Sequence, residues 1–153
     1  MMQKIVIGSD HGGFKLKEKI KAYLEKCGFN VMDVGTDSEV PCDYPGFAAA
    51  LAKLISQGRY KRGILVCKSG IGNSIVANKF RGVRAALCYN VTAARLSRGH
   101  NDSNVLVLGS IFVNSAKAKR IVRVWLATKF QGGRHKRRLN RIKNIEKICG
   151  VRS

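Results

Sequence analysis

Short apolar runs recur along this chain with helix-period segments between them, and that alternation restricts the fold more than any other feature. Residues 4–8 are apolar and β-branched; 14–27 then carry Phe14, Leu16, Ile20, Tyr23, Leu24 and Cys27 at helical spacing. Phe29 to Val34 reads as a second strand, 46–57 as an Ala/Leu-rich helix, and Gly63 to Cys67 as a third strand. A Gly-rich turn at 70–72 opens a helix running to about Lys79. Val83 to Cys88 is expected as a fourth strand, 91–98 as a short helix and 104–108 as a fifth strand. Residues 114–129 form a long helix containing Trp125, and a basic helix spans roughly 135–148 after Gly132-Gly133. Repeated β-α units favour parallel strands joined by right-handed crossovers. Strands that are apolar almost throughout belong to a sheet covered on both faces. The 153 residues suit one domain, 1–153.

Several classes of protein are disfavoured. No apolar run approaches the roughly 18 to 20 residues that cross a bilayer, and the N-terminus enters a strand without a signal-peptide layout. The expectation is a soluble cytoplasmic protein that makes no use of a membrane. Its five cysteines are scattered and include no C-x-x-C pair, which argues against a disulfide framework or a zinc site. Charge is the unusual bulk property. Lys plus Arg is 29 against 9 acidic residues, and the stretch from Lys117 to Ser153 holds thirteen Lys/Arg and one Glu. A nucleic-acid-binding tail would explain this, but no nucleic-acid motif is present and aromatics are only 7%. Nucleic acid is therefore not the expected partner, and a solvated basic face or an enzyme for anionic ligands is the preferred explanation.

In open parallel sheets, ligands sit beyond the carboxyl ends of the strands. That rule selects Ser9-Asp10-His11-Gly12-Gly13, residues 33–44, and Cys67-Lys68-Ser69-Gly70-Ile71-Gly72-Asn73-Ser74. In the last of these, Gly70 and Gly72 allow backbone close to a ligand, and a helix start aims free N–H groups at negative charge. Cys67 faces those groups, a setting that tends to lower a thiol pKa and suits a thiolate base. It could equally be a small buried hydrophobe. Asp10 could act in catalysis or merely cap the next helix. His100-Asn101 and the Arg134, His135, Arg138 group fall at the opposite edge of the sheet. If they serve Cys67 they come from a neighbouring subunit, as a two-fold dimer would allow; otherwise they are ordinary surface residues.

Five motifs then occur in one order, from about residue 4 to 148. They are Gly8-Ser9-Asp10-His11-Gly12-Gly13-Phe14, Asp43-Tyr44-Pro45, Cys67-x-Ser69-Gly70-x-Gly72 with Ala77-Asn78-Lys79, Ser97-Arg98-x-His100-Asn101-Asp102, and Gly132-Gly133-Arg134-His135-x-x-Arg138. Together they resemble the type-B ribose-5-phosphate isomerases, relatives of galactose-6-phosphate isomerase subunits. The resemblance implies a three-layer α/β/α sandwich with a five-stranded parallel, Rossmann-like sheet and a C-terminal helix packing on a partner subunit. It implies a homodimer or homotetramer with shared active sites, a sugar-phosphate substrate, and no metal or organic cofactor. Cys67 matches the base of one branch; the other branch uses a Glu where this chain has Asn73.

The resemblance places His100, Asp10 and Ser69 beside Cys67 in catalysis. The binding set it implies, with the loop residues added, is Asp10, His11, Tyr44, Lys68, Ser69, Gly70, Ile71, Gly72, Asn101, Arg134, His135 and Arg138. The chain departs from the family pattern at Lys68, where Gly is usual, and at Ile111, where many members carry a phosphate-holding Arg. Lys68 is expected to restore that positive charge. The expected reaction is ribose 5-phosphate to ribulose 5-phosphate through an enediolate. Isomerisation of allose or galactose 6-phosphate, or non-catalytic RNA binding, are the alternatives.

Overall fold

The computed structural model describes residues 2–150. Its strands are β1 (Lys4–Ser9), β2 (Asn30–Asp33), β3 (Gly63–Cys67), β4 (Ala85–Leu87) and β5 (Val105–Gly109). Its helices are α1 (Phe14–Lys26), α2 (Tyr44–Ser56), α3 (Ile71–Ala77), α4 (Val91–Asn101), α5 (Ser115–Ala127) and α6 (Arg134–Ile148). All strand pairs are parallel, in the order β2-β1-β3-β5-β4.

Alternation along the strands divides the core into two layers. Ile5, Ile7, Ile64, Val66, Leu106 and Leu108 face one side and pack with α1, α4 and α5 residues, including the fully buried Trp125. Val6, Leu65, Val105 and Val107 face the other and pack with Ala48, Leu51, Ala52 and Ile55 of α2 and Ala77 of α3. The three-layer α/β/α arrangement follows from that division. The Trp125 indole N–H is satisfied by Ser103 Oγ at 2.8 Å, which in turn lies 2.9 Å from Ser97 Oγ.

Several boundaries differ from the sequence expectation. β4 is shorter than 83–88, and on its outer edge the Asn78 side chain takes both backbone groups of Ala85, at 2.8 and 3.0 Å. α2 starts two residues early, at Tyr44, with Pro45 in its first turn, where a missing N–H costs nothing. α4 does not stop at 98 but runs to Asn101, so His100 and Asn101 are helical and not part of a connecting loop. Asp102 ends it in a left-handed conformation (φ 45°) and pairs with Arg98 one turn back at 2.8 Å. Asn90 and Asn114 cap α4 and α5 through side-chain oxygens 2.8 and 2.9 Å from Ala93 N and Lys117 N.

Candidate active site

The strand order reverses between β1 and β3, since the chain moves to β2 on one side and to β3 on the other. That switch point, where the rule for open α/β sheets places ligands, lies between the loops after β1 and β3. These loops are tightly seated. Gly13 lies so close to Val66 that a Cβ would meet its carbonyl oxygen, and the Gly12 Cβ position is 3.1 Å from Lys68 Cβ. The turn after β5 latches both: Ser110 N donates to the Cys67 carbonyl (2.8 Å), Ile111 N to the Lys68 carbonyl (3.1 Å) and Ser110 Oγ to the Gly12 carbonyl (2.8 Å).

Cys67 ends β3, 5% exposed, with its sulfur accepting the Gly70 N–H at 3.0 Å. Gly70 adopts φ 82°, and a Cβ there would strike Leu87, so only glycine brings this N–H back onto the sulfur. The expected drop in thiol pKa is corrected by the structure. Burial pushes the Cys67 thiol up and Asp10 adds to the rise, against N–H donation from Gly70, Asn73 and Ser69. A seven-residue helix start does not offset desolvation of the thiolate.

Of the backbone amides from Gly70 to Ser74, four are used internally, Asn73 N–H at the sulfur among them. Gly70 N–H serves the sulfur, Ile71 N–H donates to Ser69 Oγ at 3.3 Å, and Ser74 N–H donates to the Gly70 carbonyl at 3.1 Å. Gly72 is covered by the Tyr44 ring, whose Oη is 2.6 Å from where a Gly72 Cβ would sit. Lys68 and Ile71 are exposed at the mouth, beside the exposed Ile111.

Asp10 does cap the turn after β1, accepting Gly13 N at 3.1 Å, and it is buried beside the thiol it influences. His11 Nδ1 accepts the Cys42 N–H at 3.1 Å, which leaves Nε2 as the ring's free donor. Cys42 was not visible as a site residue in the sequence, because nothing in its spacing connects it to His11. Asn73 was passed over as well. It is 1% exposed, and its side-chain carbonyl has no hydrogen-bond partner.

The second cluster lies at the other edge of the sheet. β3 begins at Gly63 opposite Val105, while α4 delivers His100 and Asn101 just before β5 starts. His100 stacks on His135 with ring centroids 4.1 Å apart and planes 10° from parallel. Burial, then the charges of His100, Arg134 and Arg138, hold His135 below the usual histidine range. Arg134 and Arg138 are exposed on α6. Within one chain, therefore, Asp10, His11, Tyr44 and residues 67–72 come together, and His100, Asn101, Arg134, His135 and Arg138 form a separate group.

Comparison with known proteins gives the family. The Ribose/Galactose Isomerase family profile matches residues 5–142. The chain belongs to that family. It is 47% identical over 145 residues to ribose-5-phosphate isomerase B of Escherichia coli, covering 95% of this chain and 97% of that one. Ribose-5-phosphate isomerase B of Clostridium thermocellum superposes with a TM-score of 0.94 at 48% identity, covering 95% and 99% of the two chains. The Mycoplasma genitalium enzyme with bound ribulose-5-phosphate superposes at 0.92 with 40% identity, covering 96% and 98%. No helix among the described residues is long and apolar enough to cross a membrane.

Proposed function

We propose that this chain is an aldose–ketose isomerase that interconverts ribose 5-phosphate and ribulose 5-phosphate, with Cys67 as the base. The observation that carries the reading is the Cys67 sulfur at the β1/β3 switch point, held by the Gly70 N–H at 3.0 Å beside Asp10, in a member of the Ribose/Galactose Isomerase family. Relatives named as ribose-5-phosphate isomerases support the five-carbon substrate over the six-carbon alternatives.

In this mechanism His100 and Asp10 open the sugar ring by acid–base catalysis. The Cys67 thiolate then removes the C2 proton; a proton passes from O2 to O1, and return of the thiol proton to C1 completes the isomerisation and regenerates the thiolate. Ser69 hydrogen-bonds the sugar oxygens. Negative charge on the enediolate falls to loop amides, an electrostatic role that is worth several kcal/mol in closed sites. With Gly70 and Asn73 turned to the sulfur and Ile71 and Ser74 used within the loop, Gly72 is the first candidate for it. Arg134, Arg138 and the His11 Nε2 donor clamp the phosphate, which fixes the reacting carbons.

This assignment requires two chains per site, because Cys67 and His100 occupy opposite edges of the sheet. The proposed assembly is a two-fold dimer in which α6 packs on its neighbour. Ile142, Ile145 and Ile148, exposed along one side of α6, support that packing. The assay is conversion of ribose 5-phosphate by purified protein, with a complementation arm. Mixing inactive Cys67→Ser and His100→Ala chains in equal amounts should make about half the dimers mixed, each with one intact site of two, restoring about a quarter of parental activity. Absence of rescue after verified subunit exchange would place both residues in one chain's site.

Lys68 is proposed to supply the positive charge that Ile111 lacks. Both are exposed, and the Ile111 N–H rests on the Lys68 carbonyl. An exposed point charge contributes about 1 kcal/mol, so Lys68→Gly should raise KM about fivefold with little change in kcat. An unchanged KM would remove Lys68 from phosphate binding.

A further inference from the structure

A cavity of about 370 Å³ opens at the amino-terminal edge of the sheet, below the starts of β3, β4 and β5. Its polar lining is Lys61, Arg62, Arg84, Arg98, Asp102 and Asn104. The five residues of β3 separate it from Cys67 by about 13 Å at the usual rise per residue. It is also distinct from the His100–His135 stack. Arg98 and His100 are two positions apart on α4, roughly 200° around the helix, so they point in different directions. The Arg98 guanidinium lies over Trp125 at 5.8 Å, and Arg62 approaches the same indole at 5.6 Å.

Three guanidiniums and an ammonium face a single carboxylate here, and that carboxylate is already used. Asp102 Oδ1 accepts from Arg98 Nη1 at 2.8 Å and Oδ2 from Arg84 Nη2 at 3.1 Å. Arg62 has no acidic partner among the described residues; its Nη1 reaches only the Leu126 carbonyl, at 2.8 Å. Arg98 is 6% exposed and spends Nη1 on Asp102 and the Ser103 carbonyl. Its buried Nε has no partner, and no bond from Nη2 satisfies that edge. An anion in the cavity would offset the positive charge that Asp102 alone does not neutralise.

We propose that this basal cavity binds a phosphoryl group, free or carried by a small metabolite, through Arg98 and Arg62 with Lys61 and Arg84 at its rim. The volume admits a small oxyanion and not a nucleic-acid helix. The site does not depend on the role assigned to Cys67.

The test is titration of inorganic phosphate into ¹⁵N-labelled protein, following the arginine Nε–H signals and the Asn104 amide. Arg98 Nε–H and Asn104 are expected to shift in a saturable way. Arg62→Met should weaken that response about tenfold and Lys61→Ala about threefold. Both variants should leave phosphate-induced shifts at His11, Arg134 and Arg138 unchanged. The exposed Lys61 variant keeps the test decisive if Arg62→Met disturbs packing on Trp125. A parallel titration with glycerol 3-phosphate identifies the source: tighter binding than phosphate assigns the cavity to a phosphorylated metabolite, and equal binding to the phosphoryl group alone. An Arg98 signal that does not move, or a response unaffected by both substitutions, would overturn the proposal.

Discussion

Cys67→Ser should fold like the parent and lose about a thousandfold or more in kcat, within the range that a positioned general base contributes. The substitution exchanges sulfur for oxygen in a 5% exposed site without changing shape, so thermal stability should move little. The loss is chemical, since a serine hydroxyl does not ionise usefully near neutral pH. The parent's pH profile provides a second reading. Burial, with Asp10 beside it, raises the Cys67 pKa, and the proposed base is the thiolate. Turnover should therefore climb with pH beyond the ordinary thiol range near 8.5 before reaching a plateau. Near-parental turnover in Cys67→Ser would exclude Cys67 as the base. A profile flat from pH 7 to 10 would show that the bound substrate or a partner subunit lowers the thiol pKa well below its value in the single chain.

The raised thiol pKa is a property that local sequence does not carry. Periodicity located every strand and helix, and the carboxyl-end rule selected the loops that surround Cys67. Those inferences rest on local patterns, because apolar alternation and Gly-rich turns are written within a few residues. The sign of the Cys67 pKa shift was not local. It depends on how completely β1, β5 and the Gly70 turn enclose the sulfur, and on Asp10 arriving from 57 positions earlier in the chain. Cys42 escaped notice for the same reason, since its N–H meets His11 across 31 residues. The Arg62–Arg84–Arg98 group was hidden among 29 basic residues until the sheet brought the starts of three strands together. His100 was placed at the correct edge but in the wrong element, because the Arg98–Asp102 pair that prolongs α4 was not considered.

Asp33→Asn is expected to produce the largest stability loss of any single polar substitution near the site. Lys17 is 1% exposed, and its ammonium reaches Asp33 Oδ2 and the Thr36 carbonyl, both at 2.7 Å, with Glu18 at 3.1 Å. Removing one partner of a buried pair strands the other charge, at a cost of about 3–5 kcal/mol when burial is complete. Asp33 is partly exposed and Glu18 remains, so roughly 2–3 kcal/mol is expected, or a fall of about 5–10 °C in Tm for a chain of this size. Partial burial alone would raise the Asp33 pKa, but donation from Lys17, Gly35 and Lys21 outweighs it and holds the carboxyl below its ordinary value. A depressed folded pKa contributes stability that is complete above the unfolded value, about 3.9, and is lost as pH falls through the folded value. The Tm gap between parent and Asp33→Asn should therefore be full at pH 7 and close as the pH is taken below about 4. A gap of equal size at both ends would assign the loss to the shape of the amide and not to charge. The consequence for function follows from the loop that Lys17 holds. Thr36 N donates to the Ser9 carbonyl at 2.9 Å, and Gly35 lies against the Ser9 backbone, immediately before Asp10. Loosening Asp33 should thus lower kcat as well as Tm, because the same contacts that neutralise a buried lysine fix the carboxylate beside the Cys67 sulfur.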